Sequence, residues 1–238
     1  MIKVGTSGWL YSHWRGSFYP KSIKEKNYLP YYASHFDSVE VNNTFYNLSP
    51  KKIVRSWKGS SPPDFLFSIK ANRYITHMKN LLEPEKTVSN MLENIKLLED
   101  KLGPILFQLP PQWHVDKERL EKFIKVLPSK YSFAFEFRDK SWYQNEIYDL
   151  LEKGGLAFCI HDHRDAPSPT KITSDFVYIR FHGPDGFYRS KYKTSTLNKW
   201  SRRIKNWDAT DLDVYAYFNN DAHAYAIENA KTLKTLLD

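Results

Sequence analysis

Large apolar residues alternate with small or polar ones along several short segments of the chain. A period of two predicts a β-strand with two unlike faces. The stretch 131–142 shows it most clearly, and an apolar pattern at helical spacing follows at residues 147–151. A strand followed by a helix is typical of a parallel sheet covered by helices. The two faces of this strand are Phe133, Phe135 and Phe137 against Ala134, Glu136 and Arg138.

Seven further segments alternate in the same way. They lie at residues 2–7, 38–42, 65–70, 105–109, 156–162, 176–182 and 214–219. Helical patterns follow nearly all of the strands, within 24–36, after Ser49, near 84–102, after Asp116, between Leu197 and Trp207, and after Asn220 or Asp221. Eight β/α units predict a single (β/α)₈ TIM-type barrel domain spanning residues 1–238. The segment 162–175 is short and rich in Pro and Asp, so we expect an irregular sixth crossover, a loop instead of a full helix.

An open doubly wound sheet is the alternative to the barrel. Its central strands carry helices on both faces and should be apolar throughout. Here one parity of each strand is large and apolar, and the other is small or polar. The alternation therefore favours a closed barrel whose aromatic side chains face the helices.

The inward parity predicts a polar bowl where the C-terminal ends of the strands form the mouth of the barrel. Barrel interiors are usually filled by Val, Ile and Leu, and the active sites of this fold lie at the C-terminal ends. An internal lattice of ion pairs between the glutamates and the basic residues is the structural alternative. The predicted bowl contains Ser7, Glu40, Asn42, Lys70, Gln108, Glu136, Arg138, His161, Arg180, His182 and Asn219.

The charges of the bowl predict an anionic ligand. Two carboxylates face three fixed cations, and His161 and His182 titrate near neutral pH. The bowl should therefore be electropositive and suited to a phosphate or carboxylate group. Arg138 and Arg180 have the planar donor geometry that holds such a group with two hydrogen bonds.

The same residues include candidates for proton transfer. Glu40 and Glu136 are the predicted general acid and base, and His182 or His161 are the alternatives. Lys70 has a second role open to it, because neighbouring arginines would lower its pKa and make it a Schiff-base nucleophile.

Aromatic residues are abundant in the predicted loops. They can stack on bases or sugar rings, or they can pack a loop onto the barrel. A glycine-containing basic run at 182–192 and the start of the last helix, near Asn220, suggest a phosphate site. Trp9, Tyr11, Tyr46, Trp142 and Asn220 join the predicted ligand-binding residues on these grounds. The other loop aromatics are Trp14, Phe18, Tyr19 and Phe45.

Charge and composition add a nucleic-acid alternative. The chain has 35 Lys and Arg against 27 Asp and Glu, a formal net charge of +8, but no basic block long enough for a nucleic-acid arm. His161, Asp162 and His163 could ligate a metal with Glu136 and His182, yet no spaced metal signature supports this. We predict no metal site, and the sequence implies no cofactor. A divalent metal is expected only if the protein is a nuclease.

Location and redox state follow from what the sequence lacks. One cysteine, Cys159, excludes an internal disulfide. No apolar run is long enough to span a bilayer, and the first residues lack a signal peptide's apolar segment. We expect a cytoplasmic protein with no membrane partner.

Seven short motifs resemble the YecE-like family, the domain of unknown function numbered 72. The resemblance covers essentially the whole chain and implies a TIM-type barrel, but little about activity. The motif residues largely coincide with the predicted bowl, and the segment 162–175 matches no motif. The motifs are G-T-S-G-W at 5–9, G-x-F-Y-P at 16–20, V-E-V-N-N-T-F-Y at 39–46, F-Q-L-P-P at 107–111, E-F-R-x-x-S-W at 136–142, R-F-H-G at 180–183 and Y-F-N-N-D at 217–221.

Three functions remain open at this point. The first is an enzyme of acid–base or hydrolase type acting on a small phosphorylated or carboxylated, sugar-like substrate. The second is a nucleic-acid-binding or metal-dependent nucleic-acid-processing protein with a basic rim and stacking aromatics. The third is a barrel that binds a ligand without catalysis.

Overall fold

The computed structural model describes residues 1–164 and 166–238, and its centre is a parallel sheet of eight strands. Sheet order is β1-β8-β7-β6-β5-β4-β3-β2, and β1 meets β2 at a Ser7–Glu40 bridge where the Gly8 amide donates to the Glu40 carbonyl at 2.8 Å. The sheet is thus a nearly closed TIM-type barrel, which confirms the predicted fold. The strands are β1 (Ile2–Thr6), β2 (Ser38–Val41), β3 (Leu66–Lys70), β4 (Leu102–Gln108), β5 (Phe133–Glu136), β6 (Ala157–His161), β7 (Phe176–Phe181) and β8 (Asp213–Phe218).

Helices cover the outside of the barrel. In the described residues every strand except β6 is followed by an α-helix, and short 3₁₀ turns occupy several loops. The sixth crossover is therefore an irregular loop, as predicted, although Asp165 within it lies outside the described residues. None of the described helices combines the length and apolar character needed to cross a bilayer. The α-helices are α1 (Tyr28–Ala33), α2 (Lys51–Gly59), α3 (Pro84–Ile95), α4 (Lys117–Ile124), α5 (Asn145–Lys153), α6 (Thr194–Asp208) and α7 (Tyr225–Leu237).

The two parities of the strands form two separate apolar clusters. The larger cluster lies between strands and helices; in it Phe107 stacks on Phe135 with ring centroids 5.3 Å apart. The smaller cluster fills the inside of the barrel. The predicted directions of the side chains are confirmed, since the inner cluster consists of inward-parity residues. These are Leu66, Leu106, Ala134, Ala157, Cys159, Phe176, Tyr178, Tyr215 and Tyr217.

Two local predictions on the outer layer were wrong. The helix expected near 84–102 ends at Ile95 and continues as a 3₁₀ helix, Lys96–Lys101, broken where Glu99 adopts a φ of 54°. The strand expected at 105–109 begins earlier, as β4 (Leu102–Gln108), and includes Gly103, where a Cβ would lie only 3.1 Å from Ser68 Oγ on β3. A close approach of two strands, which periodicity does not report, explains this glycine.

Candidate functional site

Arg180 lies at the centre of the bowl, between both glutamates. Its Nη1 donates to Glu136 Oε2 at 2.7 Å and its Nη2 donates to Glu40 Oε1 at 2.8 Å, and all three side chains are fully buried. Glu40 also accepts from Ser7 Oγ at 2.7 Å and from the Tyr178 hydroxyl at 2.8 Å. These residues come from the ends of β1, β2, β5 and β7, so the barrel assembles the cluster from strands distant in sequence. The ion pairs of Arg180 with Glu40 and Glu136 also form the internal ion-pair lattice that the sequence offered as the structural alternative.

Arg138 forms a second layer above Glu136. Its Nε donates to Glu136 Oε1, its Nη1 donates to the Tyr188 hydroxyl at 3.2 Å, and its Nη2 lies 3.1 Å from His182 Nε2. Asn219 Nδ2 lies 3.5 Å from the other ring nitrogen of His182. Because an arginine only donates, His182 Nε2 accepts this bond, so the neutral ring carries its proton on Nδ1. The Asn219 amide nitrogen, which also only donates, then makes no hydrogen bond to Nδ1.

The electrostatics of the cluster assign charge to Glu136 and not to the histidines beside it. Burial raises the pKa of Glu136, but Arg138 and Arg180 outweigh it and hold that pKa well below the usual range. Burial lowers the pKa of His161 to about 4, and burial together with Arg138 lowers that of His182 well below 6.5. The positive surplus expected from titrating histidines is therefore absent at neutral pH, and two arginines face two glutamates.

Lys70 is the remaining cation of the bowl. Its Nζ lies 4.0 Å from the centroid of the Phe45 ring, and its pKa falls to about 7 because of burial and the charge of Arg180. His77 packs edge-on against Phe45, with centroids 5.0 Å apart, and burial and Lys70 lower its pKa to about 4. Lys70 thus titrates near neutral pH, while its histidine neighbour stays uncharged.

A metal-ligating triad exists in geometry only. The ligand atoms of Glu136, His161 and His182 lie within 4.8 Å of one another. However, Arg138 hydrogen-bonds both Glu136 and His182, and His161 Nε2 lies 2.9 Å from the Phe137 carbonyl, which fixes its proton there. Any divalent cation would have to displace a guanidinium cation, so the donor set does not fit a resident metal.

A cleft of about 220 Å³ lies between the loops after β1 and β2. The Tyr11 hydroxyl donates to the Ser7 carbonyl at 2.6 Å, and Asn42 Oδ1 is buried with no partner in the described residues. Tyr46 is 65% exposed on the rim. These predicted ligand-binding residues therefore lie together at the mouth. The lining is Gly8, Trp9, Leu10, Tyr11, Asn42, Asn43 and Tyr46.

Two predicted stacking residues are buried, although one of them, Trp9, also lines the cleft at the mouth. Trp142 is fully buried, stacks on Phe137 at 4.9 Å and donates to the Trp113 carbonyl at 2.6 Å. Trp9 is 3% exposed and packs edge-on against Trp57 at 5.5 Å. Both tryptophans lie in loops but pack in the apolar layer between the strands and the helices. The residue type alone does not tell whether a loop aromatic packs in that layer or faces the mouth of the barrel.

Asn220 does not begin the last helix, which corrects the predicted phosphate site at that point. Helix α7 starts at Tyr225 without a side-chain cap, and Asn220 donates to Asn229 Oδ1 at 2.9 Å and to the Ser190 carbonyl at 2.8 Å. It thereby ties the loops after β7 and β8 to α7. Gln108 ends β4, half-buried and paired in register with Glu136.

Sequence reasoning missed several polar contacts of the site. Tyr178 shares the inward parity of Arg180, so its contact with Glu40 was available from the alternation. Tyr188 lies in an aperiodic loop and carried no signal. Asp221 accepts from Trp14 Nε1 at 2.7 Å and pairs with His13 at 2.9 Å, and burial raises its pKa to about 6. That dyad joins loops at opposite ends of the sequence.

Fold and site together define the class of this protein: a TIM-type barrel with a buried glutamate–arginine cluster at the C-terminal ends of its strands. The sequence model of the family described as "Protein of unknown function DUF72" matches residues 3–238. The chain belongs to this family, which confirms the resemblance drawn from its motifs.

Relatives and solved structures agree with this assignment. The chain is similar to the UPF0759 protein YunF of Bacillus subtilis (strain 168), with 28% identity over 275 residues, covering 100% of this chain and 95% of that protein. UPF0759 protein YecE of Escherichia coli (strain K12) is 25% identical, over 98% of this chain and 91% of that protein. The crystal structure of a DUF72 family protein from Thermotoga maritima superimposes with a TM-score of 0.91 at 29% identity, covering 100% and 99% of the two chains.

Proposed function

We propose that the protein is an enzyme that transfers protons on a small anionic substrate bound at the mouth of the barrel. The anionic group is a phosphate or a carboxylate, and we take the substrate to be small because the Glu40, Glu136 and Arg180 side chains that would contact it are fully buried. The observation that carries the proposal is the state of Arg180, whose donors are not all used.

Arg180 supports the anionic part of this proposal. Its Nε is buried and has no hydrogen-bond partner in the described residues. Nη1 and Nη2 each donate one hydrogen bond to a glutamate, and each carries a second hydrogen. A buried donor without a partner costs about 1–3 kcal/mol. An acceptor group of a ligand would remove that cost.

Lys70 supports the proton-transfer part. A group whose pKa lies near the operating pH is the most effective proton carrier, and the pKa of Lys70 is about 7. Glu136 stays ionised, since its pKa lies well below 4.5. We therefore assign proton transfer to Lys70 instead of to the glutamates, which hold Arg138 and Arg180 in place.

The proposal is tested by anion-dependent stability of matched lysine variants. Lys3 is also inward-facing, but lies at the opposite end of the barrel and donates to the Asp64 carbonyl at 3.2 Å. With inorganic phosphate or pyruvate at about 100 times Kd, wild type and Lys3→Met should gain about 2.7 kcal/mol in unfolding free energy. Lys70→Met should gain much less, because it lacks the positive charge that Lys70 adds to the field of the Arg180 anion site. If neither anion stabilises the wild type, or if both variants respond equally, the proposal is wrong.

Two further measurements distinguish the proposed enzyme from a nucleic-acid-binding protein and from a non-catalytic barrel. Stabilisation by a single-stranded oligonucleotide that falls steeply with salt would favour a nucleic-acid-binding protein. Tight anion binding without consumption of any compound in a metabolite mixture would favour a non-catalytic barrel.

A further inference from the structure

Lys70 is set apart from the other charged side chains of the bowl by its contacts. Its backbone carbonyl accepts from Thr44 Oγ1 at 2.7 Å, which fixes the end of β3 against the loop after β2. Within residues 1–164 and 166–238, its ammonium faces the Phe45 ring at 4.0 Å and no carboxylate within ion-pair distance. Both glutamates nearby are already paired with arginines. The amine is therefore positioned without a counter-ion of its own.

The surroundings of Lys70 decide its protonation. Burial disfavours the ammonium form, Arg180 and Arg138 repel it, and the two glutamates only partly compensate. With a pKa of about 7, about half of the side chains carry a free amine lone pair at neutral pH. The charged and titratable groups that face it are Glu40 on β2, Glu136 on β5, Arg138 after β5, Arg180 on β7 and His77 in the π-helix Tyr74–Met78.

We propose that Lys70 is a nucleophile that forms an imine with the aldehyde or ketone group of an anionic substrate. This inference rests on the proposed function and narrows its substrate to a carbonyl compound with a phosphate or carboxylate group. Arg180 is the only arginine with an unpartnered buried Nε in the described chain, and its charge acts on Lys70. In this proposal Arg180 holds the anionic group while the carbonyl group of the same substrate meets Nζ.

The bond changes balance without any oxidant, reductant or metal. The Nζ lone pair attacks the carbonyl carbon, the C–N bond forms, and the carbonyl oxygen takes a proton to give a carbinolamine. The nitrogen releases one proton, the C–O bond breaks, and the oxygen leaves as water after taking another proton from solvent. The product is a protonated imine, which water converts back to lysine and carbonyl compound.

Reductive trapping tests the imine directly on the wild-type chain. The protein is incubated at about pH 7 with sodium cyanoborohydride and one carbonyl compound at a time. The compounds are glyoxylate, pyruvate, dihydroxyacetone phosphate and neutral acetone, and the adducts are located by peptide mapping. We expect Lys70 to be labelled at least about tenfold more than Lys117, an exposed lysine on α4, because an ordinary lysine is almost fully protonated at this pH. Pyruvate should label faster than acetone, since only pyruvate carries the anionic group.

The pH profile separates imine formation from nonspecific modification. Labelling of Lys70 should reach half of its maximum near pH 7, where its amine is half deprotonated. Equal labelling of Lys70 and Lys117 by every probe, no adduct at Lys70, or a midpoint above about pH 9 overturns the proposal. None of these measurements depends on a variant that has to fold.

A conservative variant distinguishes this proposal from the proposed function. Lys70→Arg keeps a cation but has no nucleophilic amine, so it should lose the adduct and keep stabilisation by inorganic phosphate. Phosphate stabilisation of the wild type without any Lys70 adduct would reject the imine and leave the anion-binding enzyme standing. A Lys70 adduct formed equally fast with acetone and pyruvate, with no phosphate stabilisation, would reject the anionic substrate.

Discussion

Two layers of the barrel interior are built from the same inward strand positions and have opposite character. Below the Arg180 cluster, the Tyr217 hydroxyl lies 2.5 Å from Ser38 Oγ, at the start of β2, and 2.8 Å from Ser68 Oγ, within the inner apolar cluster. At the mouth, Arg180 holds two carboxylates and retains a buried donor without a partner in the described residues. The lower layer is arranged for packing, and the upper layer keeps unused hydrogen-bonding capacity.

The difference shows where stability and function separate in this fold. Buried polar groups in folded proteins are nearly always hydrogen-bonded, so an exception has to be explained. Burying charged side chains at the mouth is costly, because a buried ion pair adds little net stability compared with apolar residues of the same volume. The lower interior follows the rule, and the mouth departs from it at the position where barrels bind ligands.

Removal of Arg180 should cause the largest loss of stability. Arg180→Met leaves Glu40 and Glu136 buried without the cation they share, and removing one partner of such a cluster costs about 3–5 kcal/mol. Urea unfolding measures the loss. Arg202→Met, the same change at an exposed site on α6, is the matched control and should change stability by less than about 0.5 kcal/mol.

A double variant sharpens that result. When Glu40→Gln is added to Arg180→Met, Glu136 keeps Arg138 as its partner and Glu40 no longer carries a buried charge without a cation, so much of the lost stability should return. If the double variant is less stable than Arg180→Met alone, the cluster stabilises by its hydrogen bonds and not through charge compensation.

The next largest effect should come from His161 at acidic pH. Its folded pKa is lowered by burial from 6.5 to about 4, so the native ring stays neutral while the unfolded ring takes up a proton. Its contribution is therefore fully present above pH 6.5 and is lost as pH falls toward 4, by about 2–3 kcal/mol. His161→Gln should have a flatter pH dependence in this window, whereas His114→Gln, at a side chain 81% exposed, should follow the wild type. Equal slopes in all three proteins would contradict a neutral buried His161.

The smallest effect should come from the lower interior. Tyr217→Phe removes the hydroxyl between Ser38 and Ser68, and the loss should be about 1–2 kcal/mol. Stabilisation by inorganic phosphate should not change, because the hydroxyl lies below the bowl. Tyr215→Phe is the control, since no hydrogen bond of its hydroxyl is found in the described chain, and it should be nearly neutral. A lost phosphate response in Tyr217→Phe would show that the lower layer of the interior is coupled to the Arg180 cluster.

The sequence determined the barrel and the direction of its side chains. Alternation in each strand is a local property, because burial against helices selects large apolar residues on one parity. That parity placed Glu40, Glu136, Lys70, Arg138 and Arg180 in one bowl before any coordinates were known. The short proline-rich segment between β6 and β7 likewise predicted a loop instead of a helix at the sixth crossover.

Only the tertiary structure decided how those residues pair and which of them are neutral. Arg180 joins Glu40 to Glu136, Lys70 lies on Phe45 instead of on a carboxylate, and Trp142 packs outside the strands. Distances between strand ends depend on the register around the barrel, and the burial of a loop depends on what it packs against. Neither quantity is encoded in local periodicity, so the charge states of the site appear only when the chain has closed.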